Sequence, residues 1–408
     1  MPSPQGFGIA EAVQRFIEDL RPLEQVDVPT DLAVGRVLAQ AVQARTLVPD
    51  SSRSAVDGWA LRAADTALAS TERPVRLRAA ASALAGHAAD HGIAPGETAR
   101  ITTGGVVPEG CDAVEYQEVC RAEGDVVVLE RPVEPGANVR AAGEDMRPGQ
   151  EILVAGCRLG PEQIALCATL GERTLSVRRR PRVRVVSTGD EIIRAGEPLP
   201  PGFTYDSNSL QIRAHLVALG AEVELVGPVR DHPDAIANAC SGAAFDMLIT
   251  MGGVSVGPKD HIGDVGRMLG AEIRFHWARM RPGAPTMGLR IDGRPWLGLS
   301  GNPLSAQVGF DVFGRAALGR LLATSSTGAV RLKARCQGDF HGKAPDAPRL
   351  LRASLSFEES EARALIHPYQ SSGGLRALAQ SNGYVVQPEG VADLPDGSLL
   401  DALLILPA

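Results

Sequence analysis

The chemistry-bearing residues of this chain gather where apolar, strand-like runs end. The run Met247–Met251 breaks into a loop containing Gly252, Gly253, Ser255 and Gly257 that ends in Lys259 and Asp260, just before helical spacing resumes. Glycines there let backbone N–H groups approach an oxyanion, a following helix start adds partial positive charge, and Asp260 at the rim can hold a metal or a hydroxyl. A plain strand-to-helix turn has the same composition, so the loop alone decides nothing. Residues 183–187 likewise run into Thr188, Gly189, Asp190 and Glu191, and residues 222–226 precede Asp231. Adjacent acids at a strand end suit magnesium through oxygen ligands, or form an exposed acidic turn. Carboxylates after three successive strands, at Asp190 and Glu191, Asp231 and Asp260, are more specific than any one loop.

Two further segments could bind anions. Arg281, Pro282, Gly283, Ala284, Pro285 and Thr286 join two β-favouring runs, where Arg281 offers a planar fork for an oxyanion and the prolines fix the path. A rigid structural turn explains the prolines equally well. The apolar run ending at Leu299 leads to Ser300, Gly301, Asn302, Pro303, Leu304 and Ser305. Asn302 suits an N-cap, Pro303 the first helical position, and Ser305 leaves a hydroxyl in the first turn. Elsewhere, Asp57 before Gly58 and Thr103 before Gly104 and Gly105 read as tight turns or as polar groups for a phosphate. Residues 205–209 are a run of N-cap types.

The elements that must position these groups follow from periodicity. Ile9, Val13, Phe16, Ile17 and Leu20 mark a first helix, and residues 161–170 a second that could pack on it. Between them, short β-favouring runs broken by Gly and Pro indicate an inserted β domain over 51–140, leaving 1–50 and 141–180 as a discontinuous helical lobe. From 181 to 325, strands and helices alternate, which predicts a mostly parallel sheet with helices on both faces, a three-layer α/β domain. Ligands of such sheets bind outside the carboxyl ends of the strands, where the acids and glycines fall. Residues 326–408 read as a small all-β domain.

Composition bounds the function. The 408 residues are 44% hydrophobic and 22% charged, with net charge -7; this is a multidomain globular chain with large cores. The acidic balance and 4% aromatic content argue against a nucleic-acid partner. Without a long apolar run or a signal pattern, no membrane partner is expected and the cytoplasm is the default location. Six scattered cysteines without a Cys-x-x-Cys pair read as reduced thiols.

Taken in order over residues 51–309, the motifs SRSAVDGWA, RITTGGVVPEG, GEDMRPGQEIL, STGDEI, YDSNS, TMGGVSVGPKDH, RPGAPTMG and LSGNPLSAQV closely resemble the molybdopterin molybdenumtransferase family. The resemblance implies a homodimer with four lobes per subunit: a discontinuous helical lobe, an inserted β lobe, a molybdopterin-binding sheet lobe and a C-terminal β-barrel-like lobe. It implies a magnesium-dependent transferase that takes adenylylated molybdopterin and molybdate, releases AMP and completes the molybdenum cofactor. The active site would be shared between the sheet lobe of one subunit and the β lobe of its partner. A molybdopterin adenylyltransferase and recipient molybdoenzymes would be its other partners.

Carried over motif by motif, Asp57, Thr103, Glu191, Asp231 and Asp260 surround the magnesium and the phosphate being cleaved. Gly252, Gly253, Ser255, Gly257, Asn302 and Pro303 belong to the pterin-phosphate loops, while Arg281, Pro285 and Ser305 match positions that hold molybdate or phosphate. Arg352 and Ser371 are further candidates for an oxyanion pocket. The chain departs from the family pattern where Lys-Pro-Gly-Lys-Pro is replaced by residues 281–285, with Ala284 in place of a cation, and where Ser300 replaces a proline. Ala284 keeps a second reading open, a pterin-binding scaffold without catalysis; a third is a molybdopterin adenylyltransferase, which uses a similar sheet domain.

Overall fold

The computed structural model describes residues 6–87, 89–242, 244–255, 260–358, 361–371 and 373–406. The chain divides into two compact units, one of Met1–Gln40, Ala155–Ile164 and Arg173–Ala408, the other of Ala41–Val154 and Ala165–Glu172. The first helix, α1 (Ile9–Ile17), belongs to the former. Its apolar stripe buries Ala12 and Phe16, and the Phe16 ring meets Phe275 edge-on at 6.0 Å. The helix expected to pair with another helix thus packs on the α/β sheet, because Phe275 offers it an aromatic partner and a shared core.

The second unit is built on one six-stranded sheet. Its strands are β1 (Gly58–Leu61), β2 (Val75–Ala83), β3 (Glu97–Ile101), β4 (Ala113–Tyr116), β5 (Arg121–Glu123) and β6 (Val126–Leu129), ordered β4-β1-β3-β2-β6-β5. Alternation puts Leu61, Leu77 and Val127 into one small core and Ala60, Ala99 and Ile101 into another on the opposite face.

The sheet of the first unit contains β7 (Arg182–Thr188), β8 (Glu222–Val229), β9 (Met247–Met251), β10 (Glu272–His276), β11 (Met287–Ile291) and β12 (Arg294–Leu299), ordered β8-β7-β9-β12-β11-β10. The four strands β8, β7, β9 and β12 are parallel, and β11 and β10 add an antiparallel edge. Helices α2 (Asn208–Ala218) and α3 (Pro233–Cys240) connect the parallel strands β7, β8 and β9, and α4 (Ile262–Met268) leads from β9 to the antiparallel edge strand β10. Strand β9 is buried along its whole length, as both faces are covered. Val183, Val185 and Ile249 enter one core with α1 and α2, while Val186, Leu248 and Trp296 enter the other with α3 and α4. After β12 the chain runs through α5 (Pro303–Gly309), a π-helical turn Phe310–Gly314 and α6 (Arg315–Leu322).

The chain ends in a closed barrel of β13 (Ala329–Cys336), β14 (Arg349–Glu358), β15 (Glu361–Ile366), β16 (Gly383–Gln387) and β17 (Leu399–Ile405), in the order β13-β15-β14-β16-β17. A short helix, α7 (Leu375–Ala379), precedes β16. Closure leaves no long open edge, and Ala334, Leu351, Ala353 and Val385 fill the interior. Among the described residues no helix is long and apolar enough to cross a membrane.

Candidate functional site

The strand order reverses direction at β7: the chain moves from β7 to β8 on one side, then crosses to β9 on the other. In an open α/β sheet the carboxyl ends of the strands flanking such a switch point, here β7 and β9, are the default ligand position. Gly252 (φ 95°) and Gly253 (φ 66°) follow β9. A Cβ on Gly252 would lie 2.8 Å from Thr188 Oγ1, which itself donates to the carbonyl of Met251. Gly301, after β12, comes within 3.8 Å of the Gly252 Cα by the same measure, so the glycine loops of two strands adjoin. Asn208 Nδ2 ties the start of α2 to them by donating to the Gly301 carbonyl at 2.7 Å.

Gly252→Ala is expected to destabilise the protein by ~1–3 kcal/mol, since it combines an unfavourable φ with a backbone and hydroxyl clash. Urea denaturation measures it. An unchanged midpoint with unchanged slope would mean that the loop relaxes around a methyl group.

The acids converge on the same end. The Asp190 N–H donates to Asp231 Oδ2 at 3.4 Å and the Asp231 N–H to Asp190 Oδ1 at 3.2 Å, a reciprocal pair that locks the β7 and β8 loops together. Glu191 is exposed beside Gly189, where a Cβ would approach its carboxylate oxygens to 3.1 and 3.2 Å. Gly189 therefore leaves room for the Glu191 carboxylate. These hard oxygen donors fit magnesium better than a softer metal. Among the described residues no group of three or more His, Cys, Asp or Glu side chains is placed to hold a metal by itself. Asp260 starts the described chain again after the glycine loop and is half-buried, and Ser255 is exposed. Gly257, with Lys259, lies outside the described residues.

His276 anchors this loop, its Nε2 lying 3.0 Å from the Val254 carbonyl and so carrying the proton. Burial pushes its pKa below 6.5, against the opposing pulls of the Val254 carbonyl and of Asp260. The unfolded chain therefore takes up this proton first as pH falls, and the contribution to stability present above pH ~6.5 is lost as pH drops through the folded value. A pH series of thermal denaturation should show His276→Gln flattening the decline between about pH 7 and 5. An unaltered slope would remove His276 from that dependence.

Asn302 and Pro303 occupy the N-cap and first position of α5, as the residue types require. The Asn302 side chain makes no capping hydrogen bond: the Asn302 backbone N–H donates to Ser300 Oγ at 3.3 Å, and the side-chain Oδ1 is buried without a partner among the described residues. Asn208 Oδ1 is likewise buried without a partner among the described residues. Buried acceptors left unpaired are costly, so both oxygens can take a donor from water or a ligand.

A second opening shares the α5 start. A cleft of about 840 Å³ is lined by Arg281, Ala284, Pro285 and Leu304 on the sheet side and by Lys343, Asp346 and Arg349 on the barrel side. Thr286 Oγ1 donates to the Gly283 carbonyl at 2.7 Å and fixes the loop, and Gly283 (φ 93°) closely approaches the Ser305 carbonyl. Ser305 is buried under this turn. Arg281 is held bidentately by Asp346, both bonds 2.7 Å, and that pairing pulls the Asp346 carboxyl below its usual range. Lys343 and Arg349 line the cleft with no carboxylate at ion-pair distance among the described residues. Both escaped the sequence reading, since they lie some sixty residues beyond Arg281 in an unremarkable polar stretch. Arg352 is fully buried, and its two terminal nitrogens donate to the carbonyls of Tyr369, Ser371 and Gly374 at 2.6, 3.0 and 2.8 Å, which fixes the shape of that loop.

Asp57 and Thr103 come together within the β unit. Asp57 Oδ1 accepts from the Thr103 N–H at 2.6 Å and from Thr103 Oγ1 at 2.9 Å. Those bonds, the backbone one foremost, hold the Asp57 carboxyl below its ordinary pKa, so it stays ionised.

Fold and site define a multidomain α/β protein whose glycine loops and paired acids meet at the switch point of a doubly wound sheet. Comparison with known proteins assigns it further. The MoeA N-terminal region (domain I and II) matches residues 7–171, the probable molybdopterin binding domain 184–320 and the MoeA C-terminal region (domain IV) 333–405. A Bacillus subtilis (strain 168) protein named molybdopterin molybdenumtransferase is 32% identical over 403 residues, 97% of this chain and 94% of its own length. A Staphylococcus aureus (strain COL) protein of the same name is 29% identical over 97% of this chain and 95% of its own. The crystal structure of a molybdopterin biosynthesis moeA protein from Pyrococcus horikoshii OT3 superposes with TM-score 0.84 at 28% identity, covering 98% of this chain and all of that one. The chain belongs to the molybdopterin molybdenumtransferase family, and is a transferase of molybdenum cofactor biosynthesis.

Proposed function

We propose that the chain inserts molybdenum from molybdate into adenylylated molybdopterin and releases AMP, with magnesium at the acidic strand ends. The observation that carries this reading is the convergence of the Asp190–Asp231 pair, Glu191, two glycine loops and two orphan asparagine oxygens at one switch point. The loops at Gly252–Gly253 and Gly301–Asn302 would cradle the pterin and its phosphates. Magnesium is commonly held by one or two carboxylates together with substrate phosphates and water, which suits Glu191 and Asp231; when bound, it offsets charge on the phosphates being separated. The ionised Asp57, oriented by Thr103, would position the attacking oxygen. In this reading the Asp57 turn comes from the β unit of a partner copy. Recipient molybdoenzymes and a molybdopterin adenylyltransferase are the further partners.

Molybdate is assigned to the cleft around Arg281. Lys343 and Arg349 there offset the cation missing at Ala284, which favours catalysis over a scaffold role. Lys343→Ala should raise the KM for molybdate about tenfold, the worth of one charge-assisted contact, with a smaller change in kcat. An unchanged molybdate KM would exclude Lys343 from the oxyanion site.

The test of the whole reading uses purified protein with adenylylated molybdopterin, molybdate and magnesium. AMP release dependent on molybdate is the expected result. No release, where a family enzyme of established activity works, would sink it; tight pterin binding without turnover would then indicate a scaffold, and ATP-dependent AMP transfer to molybdopterin an adenylyltransferase.

A further inference from the structure

The Arg281 cleft contains an anion of its own. Asp346 lines it beside Lys343 and Arg349, and its two carboxylate oxygens accept from Arg281 Nε and Nη2, each at 2.7 Å. A tetrahedral oxyanion can meet a guanidinium along the same edge, with two of its oxygens where the carboxylate sets both. Asp346 therefore stands where a substrate oxygen pair would.

The backbone keeps this partner in place. The Arg281 N–H donates to the Pro348 carbonyl at 3.0 Å and the Leu350 N–H to the Arg281 carbonyl at 2.7 Å, while Arg281 and Arg349 form a parallel bridge. The Arg281 loop is thus stitched to the start of β14, and Asp346 lies just before Pro348 in the same segment. A carboxylate tethered this close competes at a fixed local concentration, whatever the concentration of free anion. It also stays ionised, because the hydrogen bonds from Arg281 hold its carboxyl below the usual range. The pair is nevertheless open to exchange. The Arg281 and Asp346 side chains are 51% and 65% exposed, so solvent weakens their attraction, and Lys343 and Arg349 would hold an arriving anion from the barrel side.

Resting on the reading that molybdate enters this cleft, we propose that Asp346 is a built-in competitor for the Arg281 fork, which molybdate must displace in order to bind, and that it thereby sets the affinity of the site for tetrahedral oxyanions. No covalent bond changes. The carboxylate moves to solvent as two oxyanion oxygens take its place on Nε and Nη2.

Equilibrium dialysis of the full-length protein against molybdate and, separately, against perrhenate tests the proposal. Perrhenate is a tetrahedral oxyanion of similar size with one negative charge instead of two, which separates competition from repulsion. Displacing Asp346 costs either anion the same, so Asp346→Asn should tighten both by one common factor, about two- to fivefold for an exposed pair. Repulsion grows with the charge of the ligand, so a markedly larger gain for molybdate than for perrhenate would overturn the competitor role. Arg281→Gln should weaken both about tenfold by removing the fork, and unchanged affinity in that variant would also overturn it. Unchanged affinity in Asp346→Asn, beside saturable molybdate binding that Lys343→Ala weakens, would overturn the competitor role while keeping molybdate in the cleft. Absence of saturable molybdate binding in the wild type and in Asp346→Asn alike would overturn both.

Discussion

Asp57→Asn is expected to yield a folded protein whose molybdate-dependent AMP release falls about a thousandfold, the loss typical when a charged group at the reacting centre is removed. Folding should survive because asparagine keeps an oxygen where Oδ1 accepts the two Thr103 bonds of 2.6 and 2.9 Å. The turn then holds its shape and only the charge disappears. Glu191→Gln tests the other wall in the same way, since glutamine fills the same space beside Gly189. Unchanged thermal midpoints with lost turnover are the expected pair of readings. Normal turnover in either variant would remove that residue from the mechanism.

The two variants together test the proposed sharing of the site. If Asp57 and Glu191 of one site come from different subunits, a mixed dimer has one intact site and one doubly altered site. A randomised mixture of two inactive variants should then recover about a quarter of the wild-type activity, because half of the dimers are mixed and each has one working site. No recovery after verified subunit exchange would place both residues of a site on one chain.

The largest effect on stability is expected at Arg315. The Asp311 side chain is 0% exposed and that of Arg315 3%, and their 2.7 Å bond is closed in by Gln307 and Tyr384. Arg315→Met removes the counter-ion but leaves the carboxylate buried, which should cost ~3–5 kcal/mol. Full burial, with the Asp311 carboxylate beside the hydroxyl adding to it, already pushes the Tyr384 phenol well above its usual pKa, so the tyrosine remains a donor and cannot lend a charge. Adding Asp311→Leu should recover a large part of the loss, since a well-packed apolar pair avoids the desolvation of both ions. Urea denaturation of the single and double variants checks this. A loss below about 1 kcal/mol for Arg315→Met would show that water reaches the carboxylate.

Several features could be read from local pattern because their cause is local. The four-residue spacing of α1, the alternation of strand and helix after Arg182, and the glycines at 252 and 253 depend on neighbours in sequence or on φ. Proline at 303 starts a helix for the same kind of reason. The acids at the strand ends were legible from position in the same way, and the ordered motifs added the family. Even so, the first helix found its partner in Phe275, some 260 residues away, and no periodicity specifies which apolar surface a helix will meet.

The charged residues show the division most clearly. Arg281 is cationic in sequence, but whether it faces an anion alone depends on Asp346, brought to it by the pairing of its loop with the barrel strand at Arg349. Ala284 reads as a missing charge until the fold sets Lys343 in the same cleft. The three carbonyls that Arg352 meets, at residues 369, 371 and 374, are likewise set by the fold. By itself, the sequence determined the family, the local backbone at the glycine loops and the residue types available for chemistry. Only the tertiary structure decided which charges are already paired and which cations gather around one cleft. Ion pairing and burial depend on distance in space, and chain separation carries almost no record of it.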